Sequence, residues 1–150
     1  DVSLVGSEMC IRDRYLSFGI NNISMSAEEV INIFGDKIEA CCHDPVTGYF
    51  RDGFCNTDEH DFGSHVVCAE ITEDFLIFSK SKGNDLSTPR PEFNFPGLKE
   101  GDRWCLCALR WKEAYDAGVA PRVYLESCHL NALSFVTKEQ LEEFAVNRLN

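Results

Sequence analysis

Nineteen consecutive residues, Asn84 to Asp102, carry no periodic apolar signal and hold three of the five prolines (Pro89, Pro91, Pro96) together with Gly97 and Gly101. A run of this length without helix or strand is uncommon inside a compact domain. Such a run is either functional or tightly packed on itself. It also breaks the regular strand–helix alternation that a doubly wound fold requires.

The segments on either side read as regular structure. His65 to Ile71 is β-rich, with Val66 and Cys68 on one face and Val67, Ala69 and Ile71 on the other. Thr72 is placed to cap a helix whose first turn carries Glu73 and Asp74, with Phe75, Leu76 and Phe78 as its apolar face and Gly83 as its stop. Beyond the long run, Trp104 to Ala108 reads as a strand with Cys105 and Cys107 sharing a face. Arg110 to Ala117 reads as a helix, Arg122 to Ser127 as a strand and Leu130 to Phe135 as a short helix. Thr137 and Gln140 form a capping box for a final helix with Leu141, Phe144 and Ala145.

The first half is richer in loops. A capping box at Ser26-Ala27-Glu28-Glu29 precedes Val30, Ile31 and Phe34 at helical spacing. Lys37 to Cys42 alternates weakly as a strand, Asp44 to Gly48 is a turn, Tyr49-Phe50 is a short strand, and Cys55 to Ser64 is a polar loop. The whole reads as an α+β fold: a two-layer sandwich, one sheet with short helices mainly on one face, and long irregular loops.

Net charge is −11, from 14 Lys+Arg against 25 Asp+Glu, and no basic cluster exceeds two neighbours. That distribution argues against nucleic acid and anionic membranes as partners. No stretch approaches the roughly 20 apolar residues of a membrane helix, so the expectation is a soluble, cytoplasmic chain, monomeric or weakly oligomeric.

Leu4-Val5-Gly6-Ser7-Glu8-Met9-Cys10-Ile11-Arg12-Asp13 reads as the translation of a transposon sequencing adapter. Residues 1–14 are accordingly taken as a non-native tail, 15–30 as a poorly defined N-terminal segment, and 31–147 as one globular domain. Setting the tail aside removes Cys10 and leaves seven of the eight cysteines. An odd number, with no export signal in view, points to a reducing compartment and free thiols rather than a disulfide framework.

Several blocks resemble a known family. They are Asp44-Pro45-Val46-Thr47-Gly48-Tyr49-Phe50-Arg51-Asp52-Gly53, Gly63-Ser64-His65-Val66-Val67-Cys68-Ala69, and the run from Phe78 to Glu92 through Gly83-Asn84-Asp85-Leu86-Ser87-Thr88-Pro89. Phe95-Pro96-Gly97-Leu98-Lys99, Gly101-Asp102-Arg103-Trp104-Cys105-Leu106-Cys107-Ala108 and Arg110-Trp111 complete them. Over roughly residues 31–147 the chain resembles the domain of unknown function 2237, a family of small, mostly bacterial proteins. The resemblance implies a compact two-layer α/β sandwich and no particular reaction. The family pattern carries a cysteine pair after the Asp-Gly turn, where this chain has Phe54-Cys55. The departure removes one thiol from any multi-thiolate site built on that pair.

Two site chemistries follow from the residues. The first is a polar pocket built by the loops. His65 serves as general acid/base with Asp85 or Asp102 orienting it, and Asp52, Asn84, Ser87, Thr88, Arg90 and Arg103 bind a small polar or anionic molecule. The plainer alternative has Asp85, Ser87 and Thr88 bonding loop backbone and Arg90 in a structural ion pair. The second chemistry is a zinc site. Cys55, His60, His65 and Cys68 follow C-x4-H-x4-H-x2-C, with Cys41, Cys42, His43, Cys105 and Cys107 able to converge on them. From this group Cys55, His65, Cys68, Cys105 and Cys107 are the candidate ligands. No C-x2-C hook is present, so buried thiols packed in a sheet compete with this reading. Zinc is the one cofactor the residues bring to mind, and none is required. The chain lacks a G-x-S-x-G elbow, a P-loop, a G-x-G-x-x-G and an H-E-x-x-H motif.

Overall fold

The structure is a computed structural model in which residues 30–146 are described. The adapter-like run and the Ser26 capping box lie outside those residues.

Three antiparallel strands form the sheet: β1 (His65–Glu70), β2 (Arg103–Cys107) and β3 (Arg122–Val123), in the order β2-β1-β3. Cys68 lies opposite Cys105 and Ala69 opposite Trp104, and an irregularity between His65 and Val67 brings His65 opposite Cys107. The outer edge of β2 is covered rather than left bare, because Thr47 Oγ1 accepts the Cys105 N–H at 2.8 Å.

Among the described residues three α-helices accompany the sheet: α1 (Glu73–Ser81), α2 (Ala108–Asp116) and α3 (Lys138–Glu143). Thr72 accepts the Phe75 N–H and so caps α1, and Thr137 with Gln140 completes a reciprocal capping box on α3. α2 packs against β1, β2 and α1. At the centre lies Trp111, fully buried, its indole N–H donated to the Pro121 carbonyl at 3.0 Å and its ring edge-on to Phe144. Phe75, Val66, Val67, Leu106, Leu125 and Leu141 fill the same core. A small α+β fold results, as the residue patterns predict. Among the described residues, no helix is long and apolar enough to cross a membrane.

The long run from Asn84 to Asp102 packs on itself. A 3₁₀ turn at Pro91–Phe93 sits inside a two-way backbone pairing of Arg90 with Phe95, and Leu86, Phe95 and Leu98 are buried beneath it.

The first half departs from its pattern. Val30 to Phe34 is not helical. The Asn32 side chain accepts the N–H groups of Phe34 and Asp36 and closes a tight turn, so that Ile31 bridges to Lys37. Lys37 to Cys42 runs without a ladder, and Tyr49-Phe50 lies in a turn. The strand from Arg122 ends after two residues because a 3₁₀ turn begins at Leu125, and Leu130–Ser134 is likewise 3₁₀.

The cysteines give the larger correction. Cys41 is bonded to Cys68 and Cys55 to Cys105, against the expectation of free thiols throughout. Cysteine parity is blind to such pairing, because three cysteines stay free among the described residues: Cys42, Cys107 and Cys128. The bonded pairs interleave along the chain in the order 41, 55, 68, 105. Each joins one strand cysteine to the loop spanning residues 41–55 and pins that loop onto the sheet.

Candidate functional site

The loop before β1 is organised around one carboxylate. Asp61 is buried, and its Oδ2 accepts the His65 N–H at 2.9 Å and the Thr57 hydroxyl at 3.0 Å. Its Oδ1 lies 2.8 Å from His65 Nδ1. Burial on its own would push the Asp61 carboxyl up, but the His65 charge and these hydrogen bonds outweigh it and hold the group below its usual value. An ionised carboxylate only accepts, so Nδ1 carries a proton, and Nε2 takes no part in this pair.

Across the sheet from His65 stands Cys107, a free and half-exposed thiol. The pairing sits at the irregularity that ends the regular β1–β2 ladder, where a bulge re-aims side chains. Cys107 is also the N-cap of α2, and its side chain makes no capping hydrogen bond. Helix starts leave N–H groups unpaired and favour negative charge beside them. His65 is thus bonded to the buried Asp61 carboxylate and stands opposite Cys107 in the strand register. The sequence reading has His65 in this group. It assigns Cys107 to metal binding and passes over Asp61, whose only signal is its place four residues before His65.

The other free thiols differ. Cys128 is completely buried, and burial pushes its thiol up to about 12. Cys42 accepts the Asp44 N–H at its sulfur, 3.4 Å away.

The loop residues named from sequence are distributed over the 84–102 region and its surroundings. Asp85 accepts the N–H groups of Ser87 and Thr88 and the Thr88 hydroxyl at 2.6 Å. Slight burial opposes ionisation of Asp85, and these bonds more than offset it, so its carboxyl is held low. Asp102 accepts the Lys99 N–H at 3.0 Å and lies 3.4 Å from its ammonium. Asp52 accepts the Phe54 N–H. Arg103 lies over the Tyr124 ring at 4.1 Å, and the Tyr124 hydroxyl donates to Glu70 at 2.6 Å. Asn84 is buried with its Oδ1 unpaired. A cavity of about 420 Å³ opens among Asp44, Ser87, Gly97, Leu98, Lys99 and Asp102. Ser87 and Asp102 line it, while His65 pairs instead with Asp61.

The zinc candidates named from sequence are distributed as follows. Cys55, Cys68 and Cys105 are each half of a disulfide, and His65 Nδ1 is engaged by Asp61, so these groups present no thiolate set in this state. The sulfurs able to hold a metal on other grounds are those of Cys41, Cys55 and Cys68, which lie within 4.8 Å of one another.

No curated protein matches the chain. Residues 31–145 match the family described as an uncharacterized protein conserved in bacteria. That match covers well over half of the 150 residues, and the chain belongs to the domain of unknown function 2237 family.

Proposed function

We propose that the chain is a thiol-dependent enzyme of the acyl-transfer or hydrolytic type, with Cys107 as nucleophile, His65 as general acid/base and Asp61 as the residue that positions His65. The reading is carried by one observation, the buried Asp61–His65 pair facing a free cysteine across the β1–β2 register. The Cys107 sulfur adds to a carbonyl carbon of the substrate as its proton passes to His65 Nε2. The bond from that carbon to the leaving group breaks as the proton is returned to it. Water or an acceptor nucleophile, deprotonated by His65, then cleaves the thioester and restores the thiol. Cys107 sits at the start of α2, where the helix dipole favours charge developing beside the sulfur.

The test is alkylation by iodoacetamide, followed residue by residue through peptide mass spectrometry. Cys107 is expected to react faster than Cys42, and His65→Gln is expected to slow Cys107 by about 10-fold or more while leaving Cys42 unchanged. Equal rates at the two cysteines, unaffected by His65→Gln, would sink the proposal.

A second reading rests on the cavity beside the 84–102 loop, with Ser87, Lys99 and Asp102 as ligand groups for a small polar molecule. A thermal-shift screen of small polar and anionic molecules tests it. A hit abolished by Ser87→Ala supports it, and a hit indifferent to that change refutes it.

A further inference from the structure

Four buried cysteines, from two strands and the loop that overlies them, meet on one side of the sheet. Cys68 and Cys105 come from opposed positions of β1 and β2, while Cys41 and Cys55 come from the two ends of the overlying loop. All four are at most 2% exposed. The sulfurs of Cys41, Cys55 and Cys68 lie within 4.8 Å of one another, and Cys105 is joined to Cys55. Tetrahedral zinc thiolate, with Zn–S of about 2.3 Å, sets its sulfurs roughly 3.8 Å apart. To reach that arrangement the bonded pairs must open, the sulfurs of Cys41, Cys55 and Cys68 need close by no more than about 1 Å, and Cys105, joined to Cys55 but outside the 4.8 Å group, must swing in with its partner. Each strand cysteine already has its partner on the loop. From this geometry we infer that the reduced chain binds one zinc ion through Cys41, Cys55, Cys68 and Cys105.

The disulfide state and the zinc state are then two ways of tying the same loop to the same sheet. A zinc ion held by four thiolates reacts with two molecules of a low-molecular-weight disulfide. Two protein disulfides form, four small thiolates leave, and the zinc ion is released. Charge balances at −2 on each side. This site shares no residue with Cys107, His65 or Asp61, and it stands or falls apart from the catalytic reading.

The test uses the full chain, reduced with a phosphine, given zinc ion, and freed of unbound metal before native mass spectrometry. One zinc per chain is expected in the reduced protein and none in the protein reoxidised by a small disulfide. Loss of an outer-shell partner costs metal sites about 10–100-fold in affinity, so Cys41→Ser and Cys55→Ser should cost at least that. Cys42→Ser, Cys107→Ser and Cys128→Ser should retain the ion. Should Cys41→Ser or Cys55→Ser fail to fold, cobalt(II) replaces zinc in the wild-type chain. Strong sulfur-to-cobalt charge transfer with tetrahedral d–d bands is then expected. Absence of retained metal, a cobalt spectrum without thiolate bands, or loss of the ion with Cys107→Ser would overturn the inference.

Discussion

Thr47 and Cys105, 58 positions apart, are joined by a single 2.8 Å hydrogen bond from the Cys105 N–H to the Thr47 hydroxyl, and both residues are buried. That bond takes the place of a neighbouring strand. Thr47→Val keeps the shape and removes the acceptor. The Cys105 N–H is then buried without a partner, a change that costs about 1–3 kcal/mol. Chemical denaturation should show that loss, with Thr47→Ser restoring most of it.

Asp61 should make the fold sensitive to acid. Its carboxyl titrates lower in the folded chain than in the unfolded one. The stability it contributes is present in full above the unfolded carboxylate value and drains away as pH falls through the folded value. Urea midpoints followed downward from pH 6 should fall more steeply for wild type than for Asp61→Asn, which has no proton to gain. Parallel curves would show that Asp61 is not the group responsible.

His129 acts in a higher window. Burial lowers its pKa below the usual imidazole value, and its Nδ1 accepts the Asn131 N–H at 2.9 Å to cap the 3₁₀ turn. The unfolded chain therefore takes up the proton first as pH drops. The contribution of His129 is complete above about 6.5 and declines as pH falls from there through the folded value. His129→Asn retains a capping oxygen, and it should flatten the stability profile between neutrality and pH 5.

Cys128 should behave as an inert core residue. With its thiol pushed up to about 12, it should resist iodoacetamide in the native chain and react only after unfolding. Labelling of Cys128 at the rate of Cys42 would mean that the core opens far more readily than its packing implies.

Gly97 fixes the path of the long loop. Its φ is +80°, and a Cβ there would stand 2.5 Å from the Ser87 carbonyl oxygen, a backbone atom with little room to yield. Gly97→Ala combines a left-handed penalty of roughly 1 kcal/mol with that collision. Together they should cost about 2–4 kcal/mol and lower Tm by several degrees. Thermal unfolding monitored by circular dichroism measures the shift.

The chain announces its second half and conceals its first. Thr72, Thr137 and Gln140 are local signals, and the helices start where those residues put them. The short apolar runs that become β1 and β2 are local too. Val30 to Asp58 is held by distant partners: Ile33 N–H to the Cys128 carbonyl, Glu39 N–H to that of Glu126, and the Asn32 amide to Glu126 again. No window of sequence contains both ends of such a bond, so helical spacing at Val30, Ile31 and Phe34 points the wrong way. Disulfide partners are equally hidden, since spacing alone does not fix connectivity. In the candidate site, His65 stands out by residue type. Asp61 gains its role only when the loop folds back, and Cys107 only when β1 and β2 align.

The interleaved order of the two disulfides has a consequence for a protease. Every peptide bond from residue 41 to 105 lies within at least one of the two covalent rings. A single cut anywhere in that span, the exposed Phe62 included, leaves the two pieces joined. The nicked protein would run at full mass on a gel until a reductant separates it.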